Sequence, residues 1–377
     1  MDDPRLTPLA ASLPASVPFV GPEAQERALG QAFLARLGAN ESGFGPSPAA
    51  CAAITAQAEA TWMYGDPEFV ALRMALAQHH NIAPASIMVG EGIDGLLGYL
   101  VRLYVGTGDA VVTSAGAYPT FNYHVSGFGG VVHTVPFLKD HEDPEALISK
   151  ANKVGAKLIY LANPDNPMGT WHDSARIQAM IDAVPDGALL VLDEAYADLA
   201  PPDAIPAFDT TNSRVIRMRT FSKAHGLAAM RVGYAVGAPD VINGFNKVRN
   251  HFGVGRLAQA AALAALHDQA YLQTVVAKVA AARKRITRIG QQNGLVALPS
   301  AANFVALDCG QDGNFSRQLV RELIARRVFV RMPFVAPQDR CIRVSVGPDA
   351  ALDIFEAVLP EALQAAHEAI GAFAPPA

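Results

Sequence analysis

A series of short apolar runs, recurring between residues 86 and 237, most constrains what this chain can fold into. They are SIMVG (86–90), DAVVTS (109–114), KLIYLAN (157–163), ALLVLDEAY (188–196), RVIRMRTFS (214–222) and RVGYAVG (231–237). Each is rich in Val, Ile, Leu or Tyr and is bounded by Gly, Pro, Asp or Asn. Continuous apolar runs of this length read as strands buried on both faces. Helical patterns over 92–105 and 173–184 separate several of them. Strands of this kind interleaved with helices predict an α/β fold, a mostly parallel sheet flanked by helices.

The rhythm changes further on. Residues 256–292 form an Ala-rich helical region. ANFVALDC (302–309), a helix near 314–327, RVFVR (327–331), CIRVSVG (341–347) and a last helix from about Ala350 follow. That order suits a smaller α+β domain. At the other end Pro4, Pro8, Pro14, Pro18 and Pro22 rule out a long helix, so the start reads as an arm. The expected division is an N-terminal arm over 1–45, a large domain over 46–270 and a small C-terminal domain over 271–377.

Composition narrows the function classes. Only 17% of residues are charged, against about 25% in ordinary domains. A surface so poor in charge implies burial against a partner subunit. Thirty basic and 35 acidic side chains give −5 with no basic run, which argues against nucleic-acid binding. Cys51, Cys309 and Cys341 are scattered and odd in number, so a disulfide ladder or CxxC metal site is not expected. No apolar stretch reaches membrane-spanning length, and the start carries acids where a signal peptide needs positive charge. A cytoplasmic location is expected.

The chemistry concentrates at the strand ends, where open α/β sheets bind ligands. After SIMVG comes Gly90-Glu91-Gly92-Ile93-Asp94-Gly95, a glycine turn into a helix whose free N–H groups suit a phosphate. A plain tight turn would use the same glycines. After KLIYL stands Asn163-Pro164-Asp165-Asn166-Pro167-Met168-Gly169, and after ALLVL stands Asp193-Glu194-Ala195-Tyr196. A carboxylate at the end of an apolar strand needs a positive partner. After RVIRM come Thr220, Phe221, Ser222 and Lys223, with Arg231 eight residues beyond the lysine. Buried lysine has a depressed pKa and serves as nucleophile and base. A salt bridge or a solvated lysine would explain any one of these residues, but not all of them at successive strand ends.

Together these segments resemble the fold-type I aminotransferases that use pyridoxal 5′-phosphate (PLP), above all the histidinol-phosphate aminotransferase branch. The resemblance runs from about Leu37 to Val358. It is carried by LGANESGFGPSP (37–48), YGDP (64–67), YPTFNY (118–123), NPDNPMG (163–169), VLDEAYADL (191–199), TFSKAHGLAAMRVGY (220–234) and CIRVSVG (341–347). It implies that Lys223 holds PLP covalently and acts as the general base, and that Asp193 keeps the pyridine nitrogen protonated. It implies that Tyr196 and Asn166 bond the ring oxygen and that Phe121 stacks on the ring. Gly92, Ile93, Asp94, Thr220, Ser222 and Arg231 would cradle the phosphate, and Tyr64 would reach it from the partner of a homodimer. Asn40, Phe19, Arg331 and Arg343 would meet the substrate, Arg343 through the α-carboxylate.

The chain departs from the family pattern at several positions. The usual second Asn and the Thr of NPNNPTG are Asp165 and Met168, and Gly95 stands where an acid is usual. Phe121 and Phe19 stand where that branch commonly has Tyr. A pocket lacking those hydroxyls is expected to use an aromatic L-amino acid at least as well as histidinol phosphate. The expected reaction transfers an amino group between an L-amino acid, or histidinol phosphate, and a 2-oxo acid such as 2-oxoglutarate. A PLP-dependent decarboxylase is the alternative. An NAD-dependent dehydrogenase would explain the glycine turn but not Lys223 or Asp193.

Overall fold

The computed structural model describes residues 5–15 and 20–373. Its strands, in chain order, are β1 (Ala35–Arg36), β2 (Ile87–Gly90), β3 (Ala110–Ser114), β4 (Val131–Val135), β5 (Leu158–Ala162) and β6 (Leu189–Asp193). They continue with β7 (Val215–Thr220), β8 (Gly233–Gly237), β9 (Val296–Ala297), β10 (Phe304–Asp308), β11 (Val328–Phe329) and β12 (Cys341–Ser345). Seven form one sheet in the order β2-β8-β7-β6-β5-β3-β4. All pairings from β7 to β4 are parallel, whereas β8 runs antiparallel to both its neighbours. The expected α/β fold with a mostly parallel sheet is the observed one.

All six runs are strands of this sheet. β5, β6 and β8 are buried at every position, as strands covered on both faces by helices must be. Sequence reading missed β4. It is an edge strand whose first four residues are exposed or half-buried, and His133 and Thr134 break its apolar run. Charged or polar interruption is how an edge is kept from pairing with other chains.

The reversed β8 positions the site. Because it returns beside β7, residues 221–232 form a loop at the carboxyl edge, where Ser114, Asn163, Asp193 and Thr220 also emerge. Gly233 allows the close approach: a Cβ there would stand 2.8 Å from Arg219 O and 2.9 Å from the Gly92 carbonyl carbon.

The remaining strands form a three-stranded antiparallel sheet, β12-β10-β9, and a parallel pair, β1-β11. Helices Gln269–Gln292, Gly313–Ala325 and Asp349–Phe373 belong with them. Ala35 and Leu37 share one apolar core with residues from Leu272 to Ala366, so the chain enters the fold through the C-terminal unit. Among the described residues, the Pro-rich start carries two short helices, Pro8–Ser12 and Pro22–Leu29, each with proline in its first turn. Among the described residues, no helix is long and apolar enough to cross a membrane.

Candidate active site

Strand β6 ends in Asp193, only 5% exposed. Its Oδ2 accepts the Tyr160 O–H at 2.7 Å and its Oδ1 accepts the Ala195 N–H at 2.9 Å. Burial raises this carboxyl from 3.8 to about 6. Facing it across a cavity of about 260 Å³ is Lys223, with Ile93, Asp94, Asn166, Tyr196, Thr220 and Ser222 on the walls. The Lys223 Nζ donates to the Asn40 carbonyl at 3.0 Å. Burial first, then the Arg343 charge, lowers its amine from 10.5 to about 8. A lysine so placed supplies neutral amine near neutral pH.

One end of the cavity is built for an anion. Helix Gly92–Tyr104 begins without a side-chain cap, so its first N–H groups face the cavity. Gly92 has φ +73°, and a Cβ on it would lie 2.6 Å from an Arg231 guanidinium nitrogen. Glycine is therefore required there by both backbone and space. Arg231 donates to Ser222 Oγ at 3.3 Å and lies 3.4 Å from Asp94. Thr220 Oγ1 donates to Ser222 Oγ and accepts the Ser222 N–H, which locks the loop after β7. A helix start, two hydroxyls and a guanidinium converge as a phosphate needs.

The opposite wall comes from distant segments. Asn40 adopts φ +54°. Its Nδ2 donates to Tyr196 Oη at 3.2 Å, and the Ser345 hydroxyl donates to its Oδ1 at 2.9 Å. Buried Arg343, on β12, donates to Asn166 Oδ1. Its Nε is buried without an acceptor, so part of the guanidinium remains for a ligand. Burial lowers its pKa to about 10. Lys223, Asn166, Tyr118, Arg331 and Arg343 also line the wider mouth, of about 640 Å³, that continues the cavity.

Phe121 does not line this cavity. It lies in helix Pro119–Gly127, is fully buried, and stacks on Tyr160 with ring centroids 4.8 Å apart. Of the aromatic residues in this segment, Tyr118, immediately before that helix, lines the cavity, donating to Asp94 Oδ1 at 2.9 Å. The family motif pointed to the segment, but the helix phase decides which ring looks outward. Tyr160 was also missed, although a tyrosine inside an aliphatic strand signals a buried hydroxyl in need of a partner. Phe19 lies outside the described residues. Tyr64 is 77% exposed and packs against Phe252 with ring centroids 4.7 Å apart, away from the cavity of its own chain. Arg331 donates to the Val20 carbonyl at 2.9 Å.

Residues 34–358 match the family described as aminotransferase class I and II. The chain belongs to that family. Among its relatives, the histidinol-phosphate aminotransferase of Geobacillus thermodenitrificans is 31% identical over 92% of this chain and 95% of its own length. That of Anaeromyxobacter is 34% identical over 91% and 95%. The crystal structure of histidinol-phosphate aminotransferase from Sinorhizobium meliloti, in complex with pyridoxal-5′-phosphate, is 52% identical. It superposes with a TM-score of 0.93 over 96% of this chain and 98% of that one.

This aminotransferase is a PLP-dependent transaminase, and its residues fit the cofactor. The uncapped helix start at Ile93 and Asp94, with Ser222 and Arg231, would hold the phosphate. Asp193 would face the pyridine nitrogen, Tyr118 the ring, and Asn166 with Tyr196 the ring oxygen. PLP supplies an electron sink for the bond-breaking at the donor Cα. Lys223 would anchor the cofactor and, as the neutral amine, would move the proton at Cα. Asp193 would favour the charged ring, because opposite charges in a buried site stabilise each other.

Proposed function

We propose that the amino donor is histidinol phosphate, with its phosphate as the anionic end the site holds, and that a 2-oxo acid such as 2-oxoglutarate is the acceptor. The carrying observation is that Arg331 and Arg343 open onto the same mouth as Lys223. Donor and acceptor bind in turn at one site, so one set of cations must serve both. A guanidinium fork meets a carboxylate or a phosphate bidentately. The names of the relatives support the same donor. The expectation that an aromatic amino acid is used at least as well rests on Phe121 and Phe19; the first is a core residue and the second is outside the described part.

The test is kcat/KM for L-histidinol phosphate, L-histidine and L-phenylalanine with 2-oxoglutarate. A preference for the phosphate ester supports the proposal, and equal or better use of phenylalanine overturns it.

The working form is taken as a cytoplasmic homodimer in which Tyr64 reaches the partner's cofactor phosphate. Trp62 and Tyr64 are 82% and 77% exposed and Phe252 is half-exposed beside them, an apolar surface that association would cover. Light scattering reads the oligomeric state. Tyr64→Phe is expected to speed PLP loss on dilution while leaving the dimer intact; unchanged PLP retention would remove Tyr64 from the site.

A further inference from the structure

Beneath the loop that presents Asn166 lie two carboxyl groups that none of the chemistry above uses. Glu142 and Asp165 are each 2% exposed. Glu142 Oε1 accepts the Ala162 N–H at 2.9 Å, and its Oε2 accepts the Ser114 O–H at 2.6 Å. Both its oxygens are thus served by donors, as suits a carboxylate. Asp165 Oδ2 accepts the Met168 N–H at 2.8 Å. Its Oδ1 is buried and meets no N–H or O–H donor. The negative charge of Glu142 acts directly on Asp165. A proton on the unserved oxygen, Asp165 Oδ1, would relieve both the missing bond and the repulsion by donating to a Glu142 carboxylate oxygen.

We infer that Asp165 is held as the neutral acid, donates its O–H to ionised Glu142, and through this shared proton positions the turn that aims Asn166 into the active site. The turn is otherwise closed by Asp165 N–H to Thr170 O at 2.8 Å and Gly169 N–H to Asp165 O at 3.2 Å. Asn166, at its tip, accepts from Arg343. An asparagine at 165, the residue usual in the family pattern, would donate through its amide. The acid must keep its proton to do the same. Asp165 and Glu142 act as positioning residues.

The surroundings favour one charge and not two. Asp193 on β6 adds a negative field, and Arg343 on β12 a positive one. Tyr196 is a buried neutral hydroxyl that also feels Asp165. His172 places Nε2 2.7 Å from the Glu142 carbonyl and is itself held toward the neutral form by burial. Two adjacent carboxylates in such a setting cannot both ionise at neutral pH. Burial pushes Asp165 well above the usual carboxylate range and Glu142 up to about 7.

Three measurements on the holoenzyme test this. Infrared difference spectra of wild type minus Asp165→Asn near neutral pH are expected to show a protonated-carboxyl band; its absence overturns the inference. Thermal unfolding against pH tests the linkage. A carboxyl raised in the fold contributes stability that is full at acid pH and lost as pH rises through its folded value. Relative to wild type, Asp165→Asn should therefore gain Tm as pH rises, reflecting about one proton held only by the native wild type. A pH-independent difference overturns the inference. Finally, Asp165→Ala is expected to lower kcat/KM about 10-fold, with Asp165→Asn restoring most of it. Asn no better than Ala overturns the positioning role. The first two readouts do not depend on which amino donor is correct, so their failure is distinguishable from failure of the proposed substrate.

Discussion

Replacing Asp193 by Asn tests the electronic centre of the site with little change of shape. The substitution keeps an oxygen for the Ala195 N–H, now at 2.9 Å, but removes the negative charge that would face the pyridine nitrogen. A hydrogen bond to a charged group contributes about 1.5–3 kcal/mol. At 1.36 kcal/mol per decade, that is a loss of about 10- to 150-fold in kcat. The loss belongs in kcat because the interaction strengthens as charge moves onto the ring. Stability provides the control. Holding Asp193 ionised in the apo fold, against a rise from 3.8 to about 6, costs about 3 kcal/mol above pH 6. The stability linked to this group is full below its unfolded value and lost as pH rises through about 6. Apo Asp193→Asn should therefore melt no lower than wild type near pH 8, while holoenzyme turnover falls. Steady-state kcat and apo-protein melting, measured on one preparation, decide it. Unchanged kcat with weakened PLP binding would refute the reasoning and leave Asp193 with a structural role.

Three further outcomes follow from the geometry. The rate at which apoenzyme takes up PLP should rise with pH through a limb near 8, where Lys223 loses its proton; a limb near the ordinary lysine value would contradict this. Gly92→Ala must place a methyl 2.6 Å from Arg231 at positive φ, a strain of about 1–2 kcal/mol from backbone handedness alone. PLP titration should show affinity weakened about 10-fold or more, and unaltered affinity would clear the helix start of a phosphate role. Arg343→Lys cannot form the fork, and the KM for 2-oxoglutarate should rise at least ~10-fold with a smaller change in kcat; the reverse pattern would remove Arg343 from carboxylate binding.

The amino-acid sequence by itself determined the α/β sheet and the points at which its chemistry emerges. Apolar strands must be buried, so the polar residues closing them, Asp193, Asn163 and Thr220, can only mark the sheet's edge. Lys223 and Arg231 were legible because TFSKAHGLAAMRVGY resembles the aminotransferase segment with the same Lys-to-Arg spacing. Tertiary structure alone decided the rest. Phe121 and Tyr118 are three residues apart and equally aromatic, but the helix beginning at Pro119 turns one into the core and leaves the other at the cavity. The polar edge strand β4 is recognisable only through its pairing with β3. Asn40 reaches Tyr196 across 156 residues and Ser345 across 305. Glu142 and Asp165, one before a helix and one after a strand, become a pair only when β3, β5 and β6 lie side by side. Periodicity records which face of an element is buried; it carries no information about which buried group lies opposite.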